Sequence, residues 1–265
     1  MAATAVLCML FLFEASAQVN ITGKQGLIYI PTARFSEDGD LTVGAAFFPG
    51  DYGFETVQSN PGRMIFANLT VLPRFDVNIS LMQLFNTPDN PVKLGLGDRQ
   101  LDFRYLILKE KPKQPSLAII VSNPMSISPT VLTHALVATK NFTLKNNLSL
   151  EVTVGYGSPY HIYRKGTNLS NYGLFEALVV EKKNQYRRHK HYLEGPFGGA
   201  SLRFKNKYGL MLEYDSKNLN VGLYALLFKR WTIQAGVLNA EQITFGTAYN
   251  FSLMKLPKRL TKSRD

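Results

Sequence analysis

Phe75-Asp76-Val77-Asn78-Ile79-Ser80-Leu81 alternates without a break, apolar at every odd position and polar at every even one. A period of two sends successive side chains to opposite faces of a strand. The same rhythm recurs on both sides. Leu41, Val43, Ala45 and Phe47 oppose Thr42, Gly44 and Ala46, and Leu101, Phe103 and Tyr105 oppose Asp102 and Arg104. Leu148, Leu150, Val152 and Val154 oppose Ser149, Glu151, Thr153 and Gly155, while Ile243, Phe245, Thr247, Tyr249 and Phe251 oppose Gln242, Thr244, Gly246 and Asn250. No long stretch has helical period, so the chain is all-β.

The alternation divides residues 40–253 into about twelve strands. They are expected at 40–48, 62–72, 74–85, 99–109, 115–123, 131–140, 147–156, 197–205, 208–215, 218–228, 230–238 and 241–253. Most have the length that a tilted strand needs to cross a bilayer, about nine to eleven residues. Soluble strands average nearer five or six. Longer connectors (49–61, 86–98, 124–130, 157–196) alternate with tight ones at Pro73, 110–114, 141–146 and Asn206-Lys207, and the last outer connections, Ser216-Lys217 and Asn239-Ala240, are short. Outer-membrane barrels have this asymmetry, with short periplasmic turns and longer outer loops. An even strand number leaves both ends of the barrel on one side. Aromatic residues fall near strand ends, as interfacial girdles require: Phe75, Phe142, Tyr208 and Trp231 on one side, Phe85 and Tyr156 on the other.

The first 17 residues have an apolar core, Ala5 to Phe13, and end in Ala15-Ser16-Ala17. That is the small-x-small pattern of a secretory leader, with cleavage expected before Gln18. Cys8, the single cysteine, lies inside it, so a mature chain has no thiol for a disulfide, a thiolate metal site or covalent catalysis. No later apolar run is long enough for a spanning helix. Four segments result: a leader at 1–17, an N-terminal lead-in or plug at 18–39, a barrel at 40–253 and a basic tail at 254–265.

A soluble sandwich also alternates, with the apolar face packed inside. Strand length, the leader and the character of the polar face favour an antiparallel up-and-down outer-membrane barrel. Asp76, Asp102, Arg104, Glu151, Arg203, Glu213 and Asp215 share that face with Asn, Ser, Thr and Gly, and an enclosed lumen lets such charges pair.

The opening Gly26-Leu-Ile-Tyr-Ile-Pro-Thr-Ala-Arg34, followed by Glu37-Asp-Gly-Asp-Leu-Thr-Val-Gly44, resembles the signature of the YjbH-like exopolysaccharide-associated outer-membrane family. Matches continue in order at Asp98-Arg-Gln-Leu-Asp-Phe-Arg104, Pro115 to Asn123, Val137-Ala-Thr-Lys140, Val154-Gly-Tyr-Gly157, Phe197-Gly-Gly199, Glu213-Tyr-Asp215 and Asn220-Val-Gly222. The chain departs from the pattern at Asn123-Pro124-Met125, where many members have an Asp and a Gly-rich turn. The resemblance implies a role in export or surface assembly of a polysaccharide and brings no catalytic residues with it.

Within the motif, Gly26 and Pro31 suit a tight turn outside a central strand, and Arg34 has the reach to meet an acidic lumen group. The formal charge is +11, and +12 without Glu14 of the leader. Connector 157–196 holds Arg164, Lys165, Lys182, Lys183, Arg187, Arg188 and Lys190 against three glutamates, a balance of +4. Such a loop suits acidic exopolysaccharide or lipopolysaccharide phosphates, or is simply solvated. His161, His189 and His191 lack rigidly held further ligands, so no metal is expected. No cofactor motif and no GxSxG elbow occurs, and hydrolase chemistry is not expected. The Asn-x-Ser/Thr triplets follow from alternation itself. Nucleic acid is not an expected partner outside the cell. Outer-membrane lipid is, with other export-machinery proteins beside it.

The leading expectation is a non-catalytic outer-membrane barrel assisting exopolysaccharide export or assembly, its lumen charges and basic loop contacting glycan. A passive small-solute channel or structural barrel, and a soluble periplasmic binding module, are the alternatives.

Overall fold

The computed structural model describes residues 18–52, 60–88, 98–124, 131–145, 147–164, 178–183 and 192–254. The expected leader at 1–17, the tail from 255 onward, and Lys165, Arg187, Arg188, Lys190, His189 and His191 lie outside the described residues.

The described strands are β1 (Asp40–Phe48), β2 (Gly62–Leu72), β3 (Phe75–Leu84), β4 (Asp98–Leu108), β5 (Ser116–Ser122), β6 (His134–Thr143), β7 (Leu148–Gly157), β8 (Tyr160–Arg164), β9 (Leu178–Lys182), β10 (Gly195–Phe204), β11 (Tyr208–Tyr214), β12 (Leu219–Leu227), β13 (Trp231–Leu238) and β14 (Gln242–Ser252). Each strand except β8 and β9 pairs antiparallel with its neighbours in a closed barrel. The seam joins β1 to β14, with Leu41 opposite Phe251 and Phe47 opposite Phe245. Closure removes every sheet edge, which a strand protein in lipid requires because no water is there to satisfy backbone groups. β10 follows β7 in the wall, pairing Gly157 with Gly195, so the β8–β9 hairpin lies outside the wall at one rim.

That rim also carries 49–61, 85–97 and 123–133, and is called the loop end here. The terminal end holds the start of β1, the end of β14 and short turns. Three hairpins turn through two consecutive positive-φ residues: Lys205 and Asn206, Phe228 and Lys229, Asn239 and Ala240. Positive φ at both central residues is the demand of a type I′ turn, whose twist matches the strands.

Burial follows the alternation with its usual sense reversed. Along β11, Gly209, Met211 and Glu213 are buried whereas Tyr208, Leu210, Leu212 and Tyr214 are exposed. Along β12, Asn220, Gly222 and Tyr224 are buried and Leu219, Val221 and Leu223 exposed. Polar side chains therefore face in, and a belt of Leu, Val, Ile and Phe faces out. That belt, with Phe142, Tyr208 and Trp231 towards the terminal end and Phe85 and Tyr156 towards the loop end, is the surface of an outer-membrane barrel. A soluble sandwich is excluded, because it would bury the apolar set between two sheets.

Three differences from the sequence reading have local causes. The strand expected at 131–140 begins at His134, because Val131 and Leu132 turn inward and are 1% exposed. Thr133 N–H meets Ser122 Oγ at 2.6 Å there, closing the rim. The connector 157–196 contains the β8–β9 hairpin, with Tyr163 paired to Val179. The inward face is also less polar than alternation implied. Ala46, Phe48, Met64, Phe66, Met82, Ile120, Val137, Phe197, Met211 and Leu238 point in and form one core.

Candidate functional site

What that inward core packs against is the chain's own N-terminal segment. Residues 18–33 are buried throughout, with Val19, Ile21, Leu27, Ile28, Tyr29 and Ile30 inside the same cluster. The segment is a hairpin. Val19 bridges Gln25, Gly26 bridges Pro31, and Ile21 N–H reaches Ile28 O at 2.8 Å. Two wall glycines make room for it. A Cβ on Gly199 would lie 2.7 Å from Leu27 Cδ1, and one on Gly222 2.8 Å from Ile28 Cδ1. Gly199 of Phe197-Gly-Gly199 and Gly222 of Asn220-Val-Gly222 thus admit the segment's apolar tip.

Glu213 holds that tip. Its Oε1 accepts Tyr29 N–H at 2.8 Å, and its Oε2 accepts Ile28 N–H at 2.9 Å and Ile30 N–H at 3.3 Å. Asn220 Nδ2 donates to Oε1 from the wall at 3.1 Å. A carboxylate on clustered backbone donors makes charge-assisted bonds, stronger than neutral ones. Asn20 fixes the other arm: its Oδ1 accepts from Thr22 and Lys24 N–H, and its Nδ2 donates to Tyr29 O and Tyr192 Oη. Tyr192, from the rim, donates to Tyr29 O at 2.6 Å.

Deeper in, charges of the segment meet charges of the wall. Lys24 Nζ lies 2.5 Å from Asp102 Oδ2, both side chains about 1% exposed or less. Ser122 and Gln100 also donate to Asp102, at 2.5 and 2.9 Å. Arg34 Nε lies 2.9 Å from Glu151 Oε2, and Arg203 approaches the same oxygen at 3.8 Å. Arg104 is fully buried. Its Nη1 meets Asp76 Oδ2 at 3.0 Å, and its Nη2 donates to Thr32 O at 2.8 Å and Arg34 O at 2.7 Å. The Phe35 ring covers its guanidinium at 4.6 Å. Charges this dry are stable only as satisfied pairs, and removing one partner costs about 3–5 kcal/mol.

Asp102, Arg104, Glu151, Arg203 and Glu213 therefore converge on one interior, and Gly26, Pro31 and Arg34 belong to the segment that fills it. Asp215 joins them from the rim: β11 ends at Tyr214, and Asp215 caps the following turn, one oxygen accepting Lys217 and Asn218 N–H at 3.0 and 2.8 Å while the other accepts at 2.9 Å from Asn220 Nδ2, the amide that also holds Glu213. The inward charges do not present a surface to glycan, because the segment already occupies them. Arg164 lies in the rim hairpin, its N–H bonded to Pro124 O. The gap bounded by Ile21, Ile28, Met211, Gln234 and Thr244 has room for about one water molecule.

Alternation could not single out Lys24, Asn20, Thr139 or Tyr192, and it placed Asp76 inward without pairing it to Arg104. Lys24 carries a faint signal as a lone cation between Ile21 and Leu27. Lys183, just past β9, is 3% exposed and donates to Tyr192 O at 3.1 Å. Burial lowers it to about 8. On the terminal rim, burial opposes ionisation of Glu110, but hydrogen bonds from Asn141 together with Lys140 hold it below the usual carboxylate range.

The interior, the apolar belt and the ordered motifs together agree with one comparison. The sequence model for the exopolysaccharide biosynthesis protein YbjH, the YjbH family, matches residues 18–265. The chain belongs to the YjbH family. The match of this YjbH-family barrel begins at Gln18 and so includes the inserted segment. A search of curated proteins gives no match. Among solved structures the chain is similar to a KdgM porin, with 10% identity and a TM-score of 0.42 over 80% of this chain and 99% of that one. It is also similar to a KdgM porin in complex with disordered oligogalacturonate, with 10% identity and a TM-score of 0.40 over the same shares.

Proposed function

We propose that this YjbH-family protein is a closed outer-membrane barrel that assists export or surface assembly of an exopolysaccharide and catalyses no reaction itself. The observation that carries the reading is the filled interior. Residues 18–34 lie across the lumen, clamped by Glu213 and paired through Lys24 and Arg34, so a glycan has no standing passage there. Work on glycan then falls to the loop end. The basic connector with Arg164, Lys165, Arg187, Arg188 and Lys190 supplies guanidinium and ammonium donors for an acidic exopolysaccharide or for lipopolysaccharide phosphates. Membership of an exopolysaccharide family supports the cargo class. A leader ending at Ala17 would deliver the chain to the outer membrane of a Gram-negative cell, where other export proteins meet it.

The test compares a deletion strain complemented with wild type or with Arg187→Ala/Arg188→Ala/Lys190→Ala. Surface polysaccharide should fall in the deletion and recover only with wild type, both proteins being present as heat-modifiable barrels. Unchanged surface polysaccharide in the deletion strain would overturn the proposal.

A further inference from the structure

The hairpin of residues 18–34 is docked on the barrel wall without being woven into it. Its backbone–backbone bonds close on the segment itself, as in Asn20 to Lys24, Leu27 to Ile30 and Thr32 to Gln25. It meets the strands through side chains: the Glu213 carboxylate, the Thr139 hydroxyl on Ala33 N–H, the Asn78 amide on Thr22 O, and the Arg104 guanidinium on Thr32 and Arg34 carbonyls. Among the described residues, a main-chain bond to a strand appears only at Gly39, whose N–H meets Thr70 O. No bond of the described wall ladders runs through the hairpin.

The surface it would uncover has a definite charge. Inward positions of the described strands carry Asp40, Asp76, Asp98, Asp102, Glu151 and Glu213 against Arg104 and Arg203, a balance of −4. The hairpin brings only Lys24 and Arg34, both on those carboxylates. It is a plug matched in sign to its socket. Low-dielectric walls focus such a field along the axis, raising cation concentration and repelling polyanions.

From this we infer that residues 18–34 gate a cation-selective pathway, with the wall carboxylates as its selectivity element, and that acidic polymers do not enter it. The inference rests on the reading above only in taking the barrel as closed at rest; it is independent of any role in polysaccharide assembly.

The test uses the wild-type protein in a planar bilayer under a potassium chloride gradient, with urea added on the terminal side. Before urea the protein should be silent. Urea below the concentration that abolishes heat-modifiability should produce discrete steps whose reversal potential shifts toward that of potassium. Spermine should block them and dextran sulfate should not. A reversal potential on the chloride side, block by dextran sulfate, or silence until the barrel itself unfolds would overturn the inference. A second arm joins Ala33→Cys to Thr139→Cys with a short thiol cross-linker in a Cys8→Ser background. Cross-linked protein should lose the urea-induced steps, and their persistence would refute gating by this segment. Steps in untreated wild type would instead contradict the closed state, and the cross-linked arm would still decide whether the segment gates.

Discussion

Glu213→Gln should loosen the plug while leaving the barrel in place. The carboxylate offers two oxygens to four donors: Tyr29 N–H and Asn220 Nδ2 on one, Ile28 and Ile30 N–H on the other. An amide keeps one acceptor and turns its NH2 onto the remaining pair, so two buried donors lose their partners. Each such orphan costs about 1–3 kcal/mol, and the substitution should destabilise the docked hairpin by about 2–6 kcal/mol. Even the lower bound raises the population of the undocked state roughly thirtyfold. Hydrogen exchange reads this population directly, because amides held only by docking exchange through local opening. Exchange at Ile28, Tyr29 and Ile30 should accelerate by that factor or more, while amides in the ladder between β2 and β3 stay unchanged. Acceleration of less than about threefold at Tyr29, with Glu213→Gln folded, would refute the claim that this carboxylate anchors the plug.

Lys24→Met should destabilise the docked segment by about 3–5 kcal/mol, and adding Asp102→Asn should recover most of it, because the stranded carboxylate and not the lost pair carries the cost; urea titration of plug release measures the cycle. Leu223→Arg, on the exposed face of β12, should cost about 2–4 kcal/mol in a folding titration into lipid vesicles, whereas a soluble protein would barely register it. Lys183 titrates at about 8 in the folded chain and near 10.5 when unfolded. In the folded chain it sheds its proton first, so rim stability rises with pH from about 8 to 10.5. Melting at pH 7 and 10 should differ in that sense, and Lys183→Met should abolish the difference.

Much of the fold was legible because a membrane barrel writes its lipid face directly into the chain. Phe75 to Leu81 needs no partner to reveal which side chains go together, and the strands on either side repeat the message. What alternation could not tell was what filled the inside. Met64, Phe66 and Phe197 occupy inward positions and look like breaks in a polar face until Ile21, Leu27 and Ile28 are seen against them. Position 131 failed for a related reason. Val131 and Leu132 read as the start of a strand, yet they turn inward at the rim.

The candidate site was legible as a set of charges and illegible as a set of pairs. Asp102, Arg104, Glu151 and Glu213 were recognisable as inward from their parity alone. Their partners lie far away along the chain, Glu213 holding a turn 184 residues earlier, and no local pattern encodes that closure. Asp215 shares their parity and meets Asn220 beside Glu213, but its capping of the rim turn depends on where the strand stops, which parity does not tell. Gly199 and Gly222 stood out only as motif letters until the approach of Leu27 and Ile28 gave them a steric reason.

The central claim is that the strands face lipid on one side and a filled interior on the other, and spin-label accessibility along β11 tests both halves at once. With Cys8→Ser as background, single cysteines at 210, 211 and 212 carry the label in reconstituted vesicles. Labels at 210 and 212 should collide with oxygen and not with a nickel chelate, while a label at 211 should be shielded from both. Nickel access at 211 would mean an open, watery lumen, and nickel access at 210 and 212 would mean that the apolar face never meets lipid; either result contradicts the account.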